Sequence, residues 1–360
     1  MGGIVLFSDS HFANRTAFGK FESNAEFPGC NSRFHVIAKA FRAAVKYAND
    51  NNCESIFILG DVFHDRGVID VPVYNGVYQL FREATEQSIR LVIYPGNHDM
   101  VDMRAMHSDK HLHSLFAFER LAHVYDQPTI VQTAYFPVAV LPYSNSSKGV
   151  IYKAEQMVKK MSGDIKMLML HHSVNKAITG PHEWVMPHRL DVDSLPEDYS
   201  HIWSGHYHFH QQVMSEDNKR RLWYVGAPVH HDFGERTYVP GFVHVMPDGK
   251  WQHIENTESP KFKVISTSDI KDFDEVATSK DYIKIEWQGD MNEIEKIKKD
   301  LPENCLVEAT NSGVVSVART SIQTTDSVEG MISKYADAKA LVKNPIEIVE
   351  HGVILYKGHK

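Results

Sequence analysis

Five short clusters of ionisable and amide side chains could do chemistry in this chain: Asp9-Ser10-His11, Gly60-Asp61, Gly96-Asn97-His98-Asp99, His171 directly after Leu170, and Gly205-His206-Tyr207-His208. Asp9, His11, Asp61, Asn97, His171, His206 and His208 offer two carboxylates, one amide oxygen and four imidazoles as metal ligands, with His98 left over. Mixed imidazole and carboxylate donors suit borderline divalent metals such as manganese, iron or zinc. A calcium or magnesium cage would draw mostly on oxygen. One aspartate can bridge two cations through its two oxygens. Two cations roughly 3.5–4 Å apart can clamp the attacking and leaving sides of a phosphoryl transfer. The glycines before Asp61, Asn97 and His206 are expected to let the backbone turn tightly at those points.

Each cluster has a plainer reading, as polar residues at strand ends satisfied by backbone hydrogen bonds; five such clusters in order weigh against it. His171 competes with His172 but follows the apolar run directly. His107, His111 and His113 lack carboxylates at matching spacing and read as an exposed helix face. His210 shares a strand face with His206 and His208 by period-two alternation and reads as a rim residue. His230 and His231 could reach the site from a later loop, with satisfied loop histidines as the preferred reading, and Lys219-Arg220-Arg221 could touch DNA phosphates, with a solvated hairpin turn preferred.

The elements that must position these residues alternate between strand and helix. Buried strands are expected at 4–8, 55–59, 90–94, 134–141, 166–170, 201–204, 222–225 and 242–246. Helical spacing joins Phe34, Ile37, Phe41, Val45 and Ala48, with Asn31 or Ser32 as N-cap. Further helices are read at Val73–Phe81, His111–Leu121 and Ile151–Met161. Helices between short apolar strands imply a layered α/β core. In open α/β sheets ligands bind beyond the carboxyl ends of the strands, where the polar clusters fall. After about residue 260 the clusters stop. Strand-like alternation at 261–265 and 282–287, a helix at 292–301 and helices beyond 326 predict smaller units. The expected domains are 1–256, 257–325 and 326–360.

Composition excludes some classes. A chain of 360 residues, 42% hydrophobic and 23% charged, is ordinary for a globular protein of one large and one or two small domains. No apolar run is long enough to span a membrane, and Gly3–Phe7 is too short for a secretory leader. Cys30, Cys53 and Cys305 form no CxxC, which fits a reducing cytoplasm. The net charge of −8 argues mildly against a nucleic-acid partner, though two bound cations would reverse the sign locally.

The ordered set of five motifs resembles the calcineurin-like metallophosphoesterase superfamily. The likeness extends to the SbcD-like DNA-repair nucleases, especially the compact versions encoded by bacteriophages. It rests on Gly60-Asp61-Val62-Phe63-His64, on His201-Ile202-Trp203-Ser204-Gly205-His206-Tyr207-His208, and on Tyr224-Val225-Gly226-Ala227-Pro228 with Gly241-Phe242. It covers residues 3 to 256 well and the remainder only in layout.

The resemblance implies a four-layer α/β/β/α metallophosphoesterase sandwich with a small α+β capping domain. It implies two divalent cations, expected to be manganese, with magnesium, iron or zinc as alternatives. Asp9, His11, Asp61 and His208 would hold one cation, and Asp61, Asn97, His171 and His206 the other. His98 would steady the scissile phosphate and protonate the leaving oxygen, with Asp99 orienting it. His64 matches a position linked to exonuclease action and DNA-end placement. The implied activity is exonuclease and endonuclease cleavage of DNA in recombination and repair, in the (host) cytoplasm. The implied partners are an SbcC-like ABC ATPase docked on the C-terminal helices and a second copy of the chain. The segments 71–86 and 103–121 are candidates for that dimer interface, and no membrane is involved. The stretch from Phe12 to Asn31 is longer than the family pattern and is expected to be a lid or a groove wall. Asp65-Arg66-Gly67 echoes protein phosphatases, so a metallophosphatase acting on phosphoproteins, nucleotides or lipids is the alternative. A non-catalytic DNA-end scaffold is the third reading, opposed by the intact ligand set.

Overall fold

A computed structural model describes residues 1–23, 25–101, 112–180, 190–267, 279–288 and 301–309, with the backbone of 184–185. In chain order its strands are β1 (Ile4–Phe7), β2 (Ser55–Ile58), β3 (Arg90–Ile93), β4 (His123–Val124), β5 (Thr129–Gln132), β6 (Pro137–Leu141), β7 (Met167–His171), β8 (Ile178–Thr179), β9 (Trp184–Val185), β10 (His201–Gly205), β11 (Gln211–Met214), β12 (Arg221–Tyr224), β13 (Gly241–Val245), β14 (Trp251–Glu255), β15 (Phe262–Ser266), β16 (Tyr282–Trp287) and β17 (Cys305–Ala309). The helices are α1 (Ser32–Asp50), α2 (Val71–Glu86) and α3 (Ser147–Val158).

Two six-stranded sheets form the centre, ordered β14-β13-β1-β2-β3-β4 and β11-β12-β10-β7-β6-β5. In the first sheet β1 to β4 run parallel and only the β13–β14 side is antiparallel; in the second the middle strands run parallel and both edge strands, β11 and β5, are antiparallel. Apolar side chains of both inner faces, among them Leu6, Phe57, Val92 and Tyr94 against Val140, Met169 and Trp203, make the layer between the sheets. The outer face of the first sheet is covered by α1 and α2 through Phe34, Phe41, Val77 and Phe81. The outer face of the second is covered by α3 through Val150, Ala154 and Val158. The result is the four-layer α/β/β/α sandwich. Strands buried on both faces need no alternation, and β1, β2, β6 and β7 are buried at every residue.

The helices start where local chemistry dictates. Asn31 caps α1, its side-chain oxygen accepting from Arg33 N at 3.1 Å and Phe34 N at 3.3 Å. Proline opens α2, and Ser146 caps α3 by accepting from Gly149 N at 3.1 Å.

Register aligns the carboxyl ends. Phe7 pairs with Ile58 and Ile58 with Ile93 in the first sheet; His171 pairs with Gly205 in the second. The segments that follow these strands therefore leave each sheet at one edge.

Some expectations change. The strand expected from Ala134 begins at Pro137, because Thr133 Oγ1 accepts from Phe136 N at 3.0 Å and closes a turn there. Across the described part of His111–Leu121 there is one 3-10 turn, Phe116–Phe118, and no longer helix. Bridging of His113 to Met100 pulls that stretch extended before the turn. Strands β4, β5, β11, β14 and β17 carry no sequence signal strong enough to anticipate them. The expected helices at 292–301 and beyond 326 lie wholly or largely outside the described residues. What is described there is a three-stranded parallel sheet, β15-β16-β17. Phe18 stacks on Tyr282 of that sheet at 5.0 Å, and the Arg33 guanidinium lies 4.9 Å over Phe262 and 4.8 Å over Tyr282. Among the described residues no helix is long and apolar enough to cross a membrane.

Candidate metal centre

Three parallel strands of the first sheet and two of the second deliver their polar residues to one place. The backbone is strained there: Asp9, His11, Asp61 and His206 have φ of 53°, 49°, 53° and 93°, in the left-handed region that non-glycine residues rarely occupy. Gly60 has φ 82°, as the turn reading requires. At Gly96 the reason is space rather than conformation, since a Cβ there would lie 2.2 Å from Asp61 Oδ1.

All seven sequence-identified ligand residues converge. His11 Nε2 and His208 Nε2 face each other at 3.0 Å. Asp61 Oδ2 lies 3.5 Å from His11 Nε2 and 3.3 Å from His171 Nε2, so one carboxylate oxygen faces both halves of the cluster. Asn97 Oδ1 lies 3.1 Å from His171 Nε2 and 2.7 Å from His206 Nδ1. Asp9, His11 and His208 form one group whose donor atoms lie within 4.8 Å of one another; Asp61, His171 and His206 form a second. His171 reaches Asp61 and Asn97, whereas His172 donates Nδ1–H to Ser173 O at 2.8 Å.

Protons decide what this set can hold. His171 gives Nδ1–H to Leu59 O at 2.7 Å, and His208 gives Nδ1–H to Glu235 Oε1. His206 Nε2 is 2.7 Å from Ser173 Oγ, a hydroxyl that can accept its N–H and leave Nδ1 as the lone pair. The nitrogens left over are lone pairs, and they face carboxylate and amide oxygens that are also acceptors. Acceptors gathered on acceptors fit divalent cations, and rings fixed by a second hydrogen bond are how proteins orient histidine ligands. Where no cation balances them, protons must. Burial works against charge on His171, but Asp61, its hydrogen bond and Asp9 raise it to about 9. Burial likewise opposes charge on His208, and Glu235, Asp9 and Asp61 outweigh it, again to about 9. Burial also opposes the Asp61 charge, yet His171 holds that carboxyl below the usual range.

Two contributors were not identified in the sequence. Glu235, in a short turn at Phe233–Glu235, holds His208 with one oxygen and accepts from His231 N at 2.7 Å with the other. His231, read as a satisfied loop residue, donates Nε2–H to the Asp9 carbonyl at 3.0 Å, and its ring lies 5.3 Å from that of His11. Glu235 lies 27 positions from His208 and His231 lies 222 from Asp9, separations that no spacing rule covers.

His98 and His64 stack beside the cluster at 5.4 Å and 14°. His98 N donates to Asp61 Oδ1 at 2.8 Å, and His98 Nδ1–H donates to His64 O at 2.6 Å. The expected role of Asp99 needs correction, because the atom it would orient is held by His64 O. The Asp99 carboxylate instead accepts from Val62 N, Phe63 N and Gly96 N at 3.0, 3.2 and 2.9 Å, bracing the loops that carry Asp61 and Asn97. Among the remaining candidates, His210 stacks on His253 at 4.2 Å, away from the cluster. His230 donates to Tyr238 O, and Arg220 donates to the carbonyls of Asp193 and Leu195. His107 and His111 lie outside the described residues.

The family described as Calcineurin-like phosphoesterase matches residues 3–210. Exonuclease subunit 1 of Enterobacteria phage T4 is 23% identical over 231 residues, covering 61% of this chain and 59% of that protein. The DNA double-strand break repair protein Mre11 of Archaeoglobus fulgidus is 24% identical over 260 residues, covering 67% of this chain and 56% of that protein. The chain thus spans less than two thirds of the length of either relative. Among solved structures, a dimetal phosphatase from Danio rerio is 12% identical with a TM-score of 0.35, covering 62% of this chain and 87% of that one.

Proposed function

The chain belongs to the calcineurin-like phosphoesterase family, and from that membership we propose a two-metal hydrolase that cuts DNA phosphodiesters in recombination and repair, as the nuclease subunit of an SbcCD-like complex. The observation that carries the reading is the shared carboxylate: Asp61 Oδ2 faces His11 on one side and His171 on the other. Asp9, His11, Asp61 and His208 would hold one cation, and Asp61, Asn97, His171 and His206 the other. Bound cations, manganese in the first instance, would supply Lewis-acid activation of water and charge neutralisation at the phosphoryl oxygens.

The side chains around them have distinct tasks. Because Nδ1–H of His98 is given to His64 O, Nε2 is the ring atom that can hold a proton and pass it to the leaving oxygen. Asp61 fixes the His98 backbone through its other oxygen. One relative is named as an exonuclease subunit and the other for DNA double-strand break repair, which supports a nucleic-acid substrate over a phosphoprotein. The acidic net charge of −8 favours the metallophosphatase alternative. Measuring manganese-dependent rates on linear duplex DNA and on a small phosphomonoester, with Asp61→Asn as control, separates the two: faster turnover of the monoester would reject the nuclease.

We propose further that the chain pairs with a second copy. Val68, Val71, Val101, Leu112 and Phe116 expose apolar surface on and beside α2, and Val101 N donates to Leu112 O within that patch. The sheet of β15–β17 would belong to the cap at 257–325. The proposed ATPase contact at 326–360 lies outside the described residues.

A further inference from the structure

The segment between β1 and α1 brings one more cation to the metal centre. Arg15 Nη2 lies 3.3 Å from His64 Nδ1. His64 in turn stacks on His98, and both rings meet the ring of His11 edge-on, at 5.4 and 4.7 Å. A guanidinium only donates, so His64 Nδ1 is the acceptor and its proton sits on Nε2. Arg15 is held in place by its backbone. Its carbonyl accepts from Asn31 Nδ2 at 2.8 Å, and Asn31 is also the cap of α1.

The guanidinium is not neutralised by this fold. Among the described residues Arg42, Arg82, Arg90 and Arg220 each make an ion pair, and Arg15 makes none. Its Nε is buried without a hydrogen-bond partner. The nearest carboxylates act on it only at longer range, and two of them are engaged elsewhere: Glu235 with His208 and His231, Asp232 with Gly234 N. A part-buried guanidinium with an open fork and no counter-ion is costly to the folded protein and fits an incoming anion. Phosphate oxygens match that fork, which a lysine ammonium does not reproduce. The guanidinium contacts His64, and His64 rather than Arg15 stacks on His98, which suits a phosphate next to the scissile one.

We infer that Arg15, with His64 beside it, binds the phosphate neighbouring the scissile one in a nucleic-acid strand, and so favours polynucleotide phosphodiesters over isolated phosphate esters. The inference rests on the nuclease reading above. Its plain competitor is a brace that merely holds the 12–31 segment and His64 in place.

The test compares wild type, Arg15→Ala and Arg15→Lys, each loaded with manganese. The substrates are an oligonucleotide and bis(p-nitrophenyl) phosphate, a diester with one phosphate. Arg15→Ala should raise KM for the oligonucleotide by about 10- to 100-fold. Its loss of kcat/KM on the oligonucleotide should exceed its loss on the small diester by about tenfold or more. The slope of log kcat/KM against log salt on the oligonucleotide should shrink by about one phosphate contact, and Arg15→Lys should restore that slope with part of the KM. Equal losses on both substrates would establish the brace and overturn the inference. Unchanged KM and salt slope in Arg15→Ala would overturn it too. A wild type that turns over the small diester but leaves the oligonucleotide intact would reject the nuclease reading, and the inference with it.

Discussion

Glu235 offers the sharpest test of how the metal centre is built, because it touches no proposed cation and yet holds a proposed ligand. It is buried, at 7% exposure, and both its oxygens are in use: Oε1 accepts from His208 Nδ1 and Oε2 from His231 N. Burial opposes its charge, but His208 and then His231 hold it down to about 2. Glu235→Gln keeps the volume and removes one acceptor. An amide has a single oxygen, so one of the two donors is left facing an NH2 group. A buried donor without a partner costs about 1–3 kcal/mol. Independently, losing the residue that orients a histidine ligand lowers metal affinity about 10- to 100-fold, or roughly 1.4–2.8 kcal/mol at 1.4 kcal/mol per decade. The two routes agree. Calorimetric titration of metal-free protein with manganese should therefore show two sites in wild type. In Glu235→Gln the site built on Asp9, His11 and His208 should weaken by that factor, and the site on Asn97, His171 and His206 should hold. Affinities unchanged at both sites, or lowered equally at both, would refute the reasoning.

Other expectations follow from the same contacts. His171 and His208 are raised to about 9 in the metal-free fold, so their contribution to stability is complete below the ordinary histidine value near 6.5 and is lost as pH rises through about 9. The metal-free melting temperature should fall across that window while manganese affinity rises, since uptake displaces those protons; a flat pH response in both would contradict it. Gly96→Ala places a Cβ 2.2 Å from Asp61 Oδ1 and 2.5 Å from Asp61 N. It should abolish tight manganese binding while circular dichroism retains the sandwich signature, and an alanine variant with wild-type affinity would show that the loop gives way. His98→Ala should lower manganese-dependent DNA cleavage about 100- to 10,000-fold with metal content preserved, the range expected for a lost proton donor; unchanged turnover would remove His98 from that role.

Much of this was legible from Asp9 to His208, for a physical reason. Strands such as β1 and β7, buried on both faces, appear as uninterrupted apolar runs, and a polar cluster at their carboxyl ends has few reasons to exist besides a ligand. Residue type and order carried that information without any knowledge of the turns. What stayed hidden acts through space or through the backbone. Glu235 and His231 sit in a loop with no periodicity, and their targets, His208 and the Asp9 carbonyl, are set by how two sheets meet. Asp99 looked like a partner for the adjacent His98 because neighbours in sequence invite that reading, but its carboxylate turns to the backbone of Val62, Phe63 and Gly96. Gly96 was anticipated for its turn and matters for its missing Cβ. The helix expected at His111–Leu121 fails because the bridge between His113 and Met100 outweighs its weak local preference.

Anomalous diffraction from crystals soaked in manganese addresses the shared carboxylate most directly. Two peaks roughly 3.5–4 Å apart are expected, with Asp61 between them, His11 and His208 on one, and Asn97, His171 and His206 on the other. A single peak, or a pair that Asp61 does not touch, would contradict the bridged two-metal centre.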